Sequence, residues 1–381
     1  MPGLPRPAAH RIACAIVAAE VRRIREADPA RADGADWHET TPIGEEGLAL
    51  DSLERLGALG ALSEAFDLDD GLLADAAPRT VGDWVDWIMR GHAHGEGRMM
   101  LATSGSTGAP KLCPHPMAAL RDEAAFLATR LPDRRRVVAL VPAHHIYGII
   151  WTALLPAELG LAVVPRALGQ PLGLAAGDLV VAVPEQWRAL LRLVRRFPDD
   201  VIGVSSGGPL DDDLASALRA AGLARIVDIY GSSETGGIAM RDAPATSYDL
   251  LPRWRLGRDD DDWHLLDADG RIVTLPDHVE RTAARALRPI RRRDGAVQVA
   301  GRNVWPEQVA DVLRGIEGVA EAAVRLHANG RLKAFVVPAA GCDAAALPAR
   351  VDAAVARRLD DHARPTIIRY GVALPRNAMG Q

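Results

Sequence analysis

The residues with the clearest chemical potential lie in one short stretch that ends at a lysine. From Leu101 the sequence reads Leu-Ala-Thr-Ser-Gly-Ser-Thr-Gly-Ala-Pro-Lys111, an apolar run followed by glycines and hydroxyl side chains. Backbone N–H groups of such a loop can face an anion, and the hydroxyls can donate to phosphate oxygens. Lys111 is one of only two lysines in the chain. No Ser or Thr follows it, so this is not a Walker motif, and a flexible linker would not normally join a strand to an amphipathic stretch. The stretch predicts phosphate binding.

Two further stretches place polar groups after apolar runs. Asp228 to Gly237 reads Asp-Ile-Tyr-Gly-Ser-Ser-Glu-Thr-Gly-Gly, and its carboxylate Glu234 is a suitable oxygen ligand for a hard cation. Val141 to Gly148 reads Val-Pro-Ala-His-His-Ile-Tyr-Gly. Alone, the first would be a glycine-rich turn after a strand, and the histidines of the second would most simply be packed or surface residues. A functional role for either stretch is therefore indicated only in combination with the other motifs.

The phosphate-binding stretch and the Glu234 stretch together resemble a known family. Residues 103–111 resemble the phosphate loop of the adenylate-forming superfamily, which includes acyl-CoA synthetases, peptide-synthetase adenylation domains and luciferases. Residues 228–237 resemble its Tyr-Gly-x-[Ser/Thr]-Glu-Thr-Gly motif. The resemblance implies that Tyr230 stacks on adenine, that Glu234 helps hold Mg²⁺ and that Thr235 contacts the α-phosphate of ATP. The residues that it assigns to ATP binding or catalysis here are Thr103, Ser104, Gly105, Ser106, Thr107, Gly108, Lys111, Tyr230, Gly231, Ser232, Glu234 and Thr235.

The histidine-containing stretch is similar to the Pro-x-x-His-x-x-Gly region that borders the acyl pocket in acyl and aryl ligases. This similarity implies that His145 gates the carboxylate and that Tyr147 and Trp151 line the pocket. Ser206-Gly-Gly-Pro-Leu210 resembles the strand end that faces both substrates, with Gly207 toward ATP and Gly208 toward the acyl group. The setting of Tyr147 resembles aryl and cinnamate-type ligases, including those of aryl-polyene and xanthomonadin pathways. A hydroxybenzoate or hydroxycinnamate is therefore favoured over a fatty acid.

The stretch from Arg292 to Val309 resembles the hinge and lid entry of the same family. By this resemblance Arg292 contacts the ribose, Asp294 is the hinge, and Gly301 borders a pantetheine tunnel that a side chain would block. Asp277 is the candidate for gripping the ribose hydroxyls.

The end of the sequence departs from the family pattern. Leu374-Pro-Arg-Asn-Ala-Met-Gly-Gln381 resembles a closing Leu-Pro-Arg-Thr-x-x-Gly-Lys motif, but Gln381 stands in the lysine position. A neutral amide cannot replace an ammonium group at a developing charge. Three possibilities stay open: adenylation is slow, an arginine substitutes, or the chemistry is confined to the second half-reaction.

The N-terminal region resembles a different family. Leu48-Ala-Leu-Asp-Ser-Leu-Glu-Arg-Leu56, followed by Phe66 and by Thr80 to Trp84, looks like an acyl carrier protein. Ser52 falls where that family attaches phosphopantetheine. The alternative is a plain helix cap, since Asp and Ser are both good capping residues.

The pattern of apolar residues predicts the elements that position these groups. Helical spacing dominates from about 8 to 92, and strands alternate with helices beyond it, as in an α/β domain with a largely parallel sheet. A multi-domain fold is expected: a small all-α, carrier-like bundle over 1–92, a truncated AMP-binding adenylation domain over 97–291 and a small α+β lid over 295–381. The adenylation domain is expected to be truncated because the family normally has over a hundred residues before its phosphate loop.

The composition of the chain indicates which classes of binding partner are not expected. The net charge is −5, and three widely spaced cysteines form no zinc-binding group, so neither nucleic acid nor zinc is indicated. No apolar run reaches the ~18 residues of a membrane span, and a cytoplasmic location without membrane contact is expected.

Two functions are consistent with these features. The first is an enzyme that uses ATP and Mg²⁺ to activate a small carboxylic acid as acyl-AMP and passes it to a phosphopantetheine thiol. The acceptor would be a carrier protein in cis or in trans, with a condensing enzyme as a possible further partner. The second is a degenerate, non-catalytic module that binds a nucleotide or a carrier.

Overall fold

A computed structural model of the chain describes residues 3–25, 37–69, 77–93, 97–103, 111–259, 262–299, 302–327 and 329–374. Contacts divide the chain into two compact units. The first spans residues 1–274 and 281–288, and the second spans residues 275–280 and 289–381.

Three helices begin the first unit: α1 (Arg6–Arg25), α2 (Ser52–Phe66) and α3 (Val81–Gly91). α2 and α3 each begin with a capping box, in which Asp51 or Thr80 accepts the backbone N–H three residues ahead. α1 is buried over much of its surface and packs against α2 and α3. The helical pattern of this segment is confirmed, while its identity as a carrier-like bundle stays a prediction.

The rest of the first unit is a mixed α/β region. Its helices are α4 (Met117–Thr129), α5 (Ile146–Ile149), a π-helical turn (Ile150–Leu154), α6 (Leu155–Leu159), α7 (Pro184–Leu193) and α8 (Asp212–Ala220). Its strands are β1 (Arg98–Thr103), β2 (Lys111–Pro116), β3 (Arg136–Ala139), β4 (Ala162–Pro165), β5 (Asp178–Ala182), β6 (Ile202–Ser205), β7 (Arg225–Ser232), β8 (Gly236–Asp242), β9 (Tyr248–Leu250), β10 (Arg255–Asp259), β11 (Asp262–Leu266) and β12 (Ile272–Thr274). Strands β13 (Asp277–Ala283) and β14 (Ala286–Arg292) contain the boundary between the units.

One large sheet dominates this region, in the order β13-β14-β9-β8-β7-β6-β5-β3-β4. Strands β4, β3, β5, β6 and β7 are parallel, whereas β8 turns back antiparallel to β7. α7 and α8 cover one face with a core that includes Trp187, Leu190 and Leu218. The predicted α/β architecture is confirmed. β1 and β2 form a separate antiparallel hairpin, and β10, β11 and β12 form a small antiparallel sheet.

The N-terminal helices contact this α/β region directly. α1 packs against the π-helical turn, where Arg11 Nε donates to Thr152 Oγ1 at 3.4 Å. Arg121 Nη1, on α4, donates to the Gly3 carbonyl at 3.0 Å. The predicted boundary near residues 92–97 is therefore crossed by side-chain contacts.

The second unit contains β15 (Val297–Val299), β16 (Arg302–Val304), α9 (Pro306–Arg314), β17 (Val319–Leu326), β18 (Leu332–Pro338), α10 (Leu347–Arg358) and β19 (Ile367–Tyr370). β18 pairs antiparallel with β17 and parallel with β19. Leu313, Val336 and Val351 are buried together between the helices and this sheet. The predicted α+β character of the segment agrees with this arrangement.

Across the described residues, none of the helices combines the length and apolar character that a bilayer-spanning segment requires.

Candidate active site

The predicted polar groups of the first unit gather at one edge of the large sheet. β5, β6 and β7 run parallel in a register that aligns Ala182 with Ser205 and Ser205 with Asp228. Their carboxyl ends therefore meet at the same edge. In open α/β sheets ligands bind at this edge.

Tyr147 fixes the start of the 146–159 helix to two of these strand ends. Its hydroxyl lies 3.1 Å from the Ala182 carbonyl and 2.9 Å from the Val204 carbonyl, and it donates its proton between them. Burial raises the pKa of Tyr147 well above its ordinary value, so the hydroxyl stays protonated. Because its one proton is engaged with the backbone, this hydroxyl can interact with a ligand only as an acceptor.

His145 and Trp151 have contrasting environments on either side of Tyr147. His145 precedes α5, is exposed, and has its ring 4.1 Å from the His144 ring, centroid to centroid. Trp151 is fully buried in the π-helical turn, with its ring 6.5 Å from that of Tyr147. The π turn has a local cause: Pro156 has no N–H for the Thr152 carbonyl, and Thr152 Oγ1 donates to the Gly148 carbonyl at 2.7 Å.

The glycine-rich segment after β6 is tied to the neighbouring strand. Ser206 Oγ donates to the Ile229 carbonyl at 2.9 Å. Gly207 adopts φ +81°, a left-handed conformation that a side chain would strain, and Gly208 follows it. The segment therefore lies beside the end of β7, next to Tyr230.

A buried network of charged and polar side chains packs against Tyr230 through Tyr248. Asp228 accepts from Arg241 Nε at 2.9 Å and from the Tyr248 hydroxyl at 2.6 Å. Arg241 also donates to the Leu210 carbonyl at 2.7 Å, where the glycine-rich segment ends. The Tyr248 ring meets the Tyr230 ring edge-on at 6.0 Å between centroids. Arg241 thus connects both predicted sides of the adenine site.

Residues 232–236 form a tight turn, which we call the glutamate turn. Ser232 N–H donates to Thr235 Oγ1 at 3.1 Å, and Thr235 Oγ1 donates to the Gly236 carbonyl at 2.9 Å. Thr235 is buried, whereas Glu234 is exposed. Gly231 precedes the turn, and a Cβ there would lie 2.2 Å from the Gly236 carbonyl oxygen, so the motif requires glycine at this position.

Lys111 begins β2, and its backbone pairs with that of Thr103. The Lys111 side chain is exposed. The intervening phosphate-loop residues 104–110 lie outside the described residues, as does the side chain of Thr103. Four residues after Lys111, His115 is buried and its Nε2 donates to the Ser233 carbonyl at 2.7 Å. The strand that carries Lys111 therefore reaches the glutamate turn, and the distance along it is roughly 13 Å.

Glu123 lies behind the same turn. It is buried on α4 and accepts the Gly237 N–H, with its two oxygens 3.0 and 3.2 Å from the nitrogen. Burial raises the pKa of Glu123 to about 7, against the opposing influence of Arg253 and of the Gly237 N–H. Neither His115 nor Glu123 lies within a motif that the sequence offers. Glu123 did carry a signal, because it falls at helical spacing among the apolar residues Leu120, Ala124 and Leu127.

The donor set fits Mg²⁺ held mainly by nucleotide phosphates. Among the described residues there is no cluster of three or more His, Cys, Asp or Glu side chains able to enclose a metal. Glu234 offers one exposed carboxylate. Protein Mg²⁺ sites commonly use one or two carboxylates together with substrate phosphates and water.

The remaining nucleotide candidates lie in the second unit. Arg292 and Asp294 form a two-pronged ion pair, with distances of 3.1 Å from Nε to Oδ1 and 2.7 Å from Nη2 to Oδ2. Burial alone would raise the pKa of Asp294, but its hydrogen bonds from Arg292 and the Ala296 N–H bring it below the ordinary value. Asp277 is buried, and its carbonyl accepts from Arg293 Nε at 3.2 Å. Gly301 and Gln381 lie outside the described residues.

Ser52 occupies the exposed first position of α2. The helix cap is provided by Asp51, whose carboxylate accepts the Glu54 N–H at 2.8 Å. The Ser52 hydroxyl is therefore not the capping group, and the prediction of modification stays open.

Comparison with known proteins identifies the family. Residues 94–279 match the model described as AMP-binding enzyme. A protein from Halorhodospira halophila named 4-coumarate–CoA ligase is 39% identical over 350 residues, covering 88% of each chain. One of the same name from Rhodobacter capsulatus is 40% identical over 360 residues, covering 89% of this chain and 90% of its own. A solved double mutant of o-succinylbenzoate CoA synthetase from Bacillus subtilis shares the fold, with a TM-score of 0.57 at 20% identity over 74% of this chain and 67% of its own. The chain therefore belongs to the AMP-binding enzyme family, as an AMP-forming acid–thiol ligase that activates its acid with ATP.

Proposed function

We propose that this ligase activates a hydroxylated aromatic acid of the hydroxycinnamate class and joins it to the thiol of CoA. The observation that carries the proposal is the extent of the match to the two proteins named 4-coumarate–CoA ligase, which runs through nearly nine tenths of either chain. The Tyr147 geometry supports the aromatic class. A phenolic O–H of the acid can donate to the Tyr147 hydroxyl oxygen, whose own proton is held by the backbone.

In the first half-reaction a carboxylate oxygen of the acid attacks the α-phosphorus of ATP. A new P–O bond forms, the bond from the α-phosphorus to the oxygen that bridges the β-phosphate breaks, and pyrophosphate leaves. Lys111 and the N–H groups of residues 103–108 stabilise the phosphate charge. Thr235 assists by turning its hydroxyl proton from the Gly236 carbonyl to the α-phosphate.

Glu234 would hold Mg²⁺ together with phosphate oxygens, and the bound ion would supply neutralisation of the phosphate charge. Tyr230 stacks on the adenine between Gly207, Gly231 and Ser232, while Asp277 and Arg292 bind the ribose. Asp294 is the proposed hinge for the second unit, the lid over 295–381. His145 borders the acid carboxylate, and Tyr147, Trp151 and Gly208 form the wall of the acyl pocket.

In the second half-reaction the thiolate attacks the acyl carbon, the bond from that carbon to the AMP oxygen breaks, and AMP leaves. The extent of the match to the relatives favours CoA as the acceptor. Residues from 93 onward make up only about 76% of the chain. A match that covers 88% must therefore include about half of the N-terminal helical segment (residues 1–92). Proteins named CoA ligases thus share at least part of the segment predicted to be a carrier.

The test is product formation with matched acids. Purified protein is incubated with MgATP and CoA, together with 4-hydroxycinnamate, cinnamate or octanoate, and thioesters are identified by mass. We expect 4-hydroxycinnamoyl-CoA to form at least tenfold faster than the cinnamate product, since loss of a buried hydrogen bond costs ~1.5 kcal/mol. Equal rates with octanoate would contradict the aromatic assignment.

A second candidate acceptor is phosphopantetheine on Ser52 itself. It is favoured by the exposure of Ser52 at the start of α2, beside Leu53 and Leu56, which are 63% and 68% exposed. The intact mass of the chain after treatment with a phosphopantetheinyl transferase and CoA decides between the two. A pantetheine increment that is lost in Ser52→Ala, followed by an acyl increment, would establish self-loading.

A further inference from the structure

We infer that His115 and Glu123 are positioning residues that hold the glutamate turn in register with β2, the strand that begins at Lys111. It rests on the proposed function in one respect, namely that Glu234 and Thr235 act on MgATP. Both residues lie on one continuous segment, in which β2 begins at Lys111 and α4 follows it directly. Neither of them belongs to the short motifs on which the resemblance to the family rests.

The two contacts lie on either side of Glu234 and Thr235. On one side His115 Nε2 donates to the Ser233 carbonyl at 2.7 Å, next to Glu234. On the other side Glu123 accepts the Gly237 N–H, two residues after Thr235. Three residues, 234 to 236, stand between the two anchors. Movement of the turn relative to β2 or α4 would require one of these hydrogen bonds to break.

The Glu123 anchor is tightly enclosed. A Cβ on Gly237 would lie 2.4 Å from Glu123 Oε1 and 2.7 Å from Leu251 Cδ1, so only glycine allows this approach. The Gly237 carbonyl accepts from Trp254 Nε1 at 2.8 Å. The peptide groups on both sides of Gly237 are therefore fixed by side chains from α4 and from the loop after β9.

The charge of Glu123 is only partly balanced. Arg253 Nη2 lies 3.7 Å from Glu123 Oε2, and the Arg253 guanidinium stacks on the Trp254 ring at 4.6 Å. A buried carboxylate whose counter-ion lies as far away as 3.7 Å makes the folded state less stable, so stability does not explain its presence. Its short contacts are to the backbone that leads out of the glutamate turn, which is what a positioning role requires.

The decisive experiment compares three variants of the full chain: Glu123→Ala, Glu123→Gln and the neighbouring Asp122→Ala. Binding of MgATP is titrated calorimetrically, and KM for MgATP and kcat are measured at saturating acid. We expect Glu123→Ala to weaken MgATP binding and to lower kcat/KM for MgATP by roughly 10- to 100-fold, as for a lost hydrogen bond to a charged group. Glu123→Gln keeps an oxygen acceptor for Gly237 and should stay within about fivefold of wild type. Asp122 is exposed on the same helix, and its variant should match wild type.

His115 gives an independent second arm. His115→Phe keeps a ring but removes the donor to Ser233, and it should also raise KM for MgATP, whereas His115→Gln keeps an N–H donor and should restore part of the loss. Unchanged MgATP affinity in folded Glu123→Ala and His115→Phe would overturn the inference. Equal losses in Glu123→Ala and Glu123→Gln would also overturn it, because rescue by the oxygen acceptor is then absent. If the wild type binds MgATP but activates no acid, the proposed function fails while the binding comparison still tests the two anchors.

Discussion

In the proposed reaction, Lys111 is the residue on which the handling of the ATP phosphates depends most. It closes the glycine-rich loop, and its strand leads directly to the glutamate turn through His115. Replacement by methionine keeps the length of the side chain but removes the positive charge that we propose faces the ATP phosphates. We predict that Lys111→Met lowers kcat for thioester formation by about 10²- to 10³-fold, the loss typical of one electrostatic donor in an active site.

The second lysine of the chain supplies the matched control. Lys333 lies on β18 in the second unit and is half-exposed. Lys333→Met should keep kcat within twofold of wild type in the same assay. Comparable losses in both variants would indicate a general effect of removing lysine rather than a role at the phosphates.

The raised pKa of the buried Glu123 side chain predicts that the stability of the protein depends on pH. Burial raises its pKa to about 7 in the folded protein, above the ordinary carboxyl value of 4.5. The folded state therefore holds the proton more tightly, and the stability gained from protonation is lost as pH rises from about 4.5 to 7. Relative to Glu123→Gln, the free energy of unfolding of wild type should fall over this range by up to about 1.4 kcal/mol per pH unit and level off above it.

Denaturant unfolding of the two proteins at half-unit pH steps measures this difference. Asp122→Asn, at the exposed neighbouring position, should follow wild type within about 0.5 kcal/mol at each pH. A wild-type to Glu123→Gln difference that does not change with pH would contradict the assignment of the buried titration to Glu123.

At the scale of elements, Arg241 connects β8 with β7 and with the segment that follows β6. It is buried and bonds Asp228, Asp212 and the Leu210 carbonyl. Removing one partner of a buried ion pair leaves the other charge uncompensated. We predict that Arg241→Leu destabilises the protein by about 3–5 kcal/mol, measured by denaturant unfolding.

The same pair of strands offers a control and a rescue. Arg225 pairs with Asp242 across β7 and β8, where the Asp242 side chain is 55% exposed, so Arg225→Leu should cost at most about 1 kcal/mol. Adding Asp228→Asn to Arg241→Leu removes the orphaned charge and should recover part of the loss. A cost for Arg241→Leu as small as that for Arg225→Leu would refute the structural role of the network.

Elements with a clean apolar pattern were predictable from the sequence. The parallel strands β3, β5, β6 and β7 are short buried runs, and helices α7 and α9 start at prolines that occupy their first turns. Thr80 and Asp83, three residues apart, have the spacing of a helix capping box, and the structure shows both of its hydrogen bonds. In these places local pattern and tertiary packing agree.

Residues 236–292 show where such prediction stops. This stretch forms β8 to β14, but β10 and β13 carry exposed charged residues, and β12 is only three residues long, with two of the three exposed. β14 pairs with β9 across the intervening β10 to β13, and no local period encodes that pairing. The anchors His115 and Glu123 were missed for the same reason: their partners are 118 and 114 residues away in sequence.

At the scale of the whole molecule, the N-terminal helical segment packs directly on the α/β region. α1 packs on the π-helical turn that carries Trp151, and Arg121 of α4 donates to the Gly3 carbonyl. The segment thus supports the α/β region physically, whatever chemistry Ser52 carries.

If CoA is the acceptor, Ser52 is dispensable. Since Asp51 rather than Ser52 caps α2, the free energy of unfolding of Ser52→Ala should lie within about 0.5 kcal/mol of the wild-type value. The variant should form acyl-CoA within twofold of the wild-type rate. Asp51→Ala, which removes the cap, should cost about 1 kcal/mol. Loss of thioester formation in a fully folded Ser52→Ala protein would instead favour the carrier.

Adenylation of an aromatic acid by this chain is tested most directly by acid-dependent exchange of labelled pyrophosphate into ATP with no thiol present. Exchange requires reversible formation of acyl-AMP and nothing beyond it. We predict exchange with 4-hydroxycinnamate that depends on Mg²⁺ and is lost in Lys111→Met. Absence of exchange with every aromatic and fatty acid, from a protein that still binds MgATP, would contradict the account and leave a nucleotide-binding module without ligase chemistry.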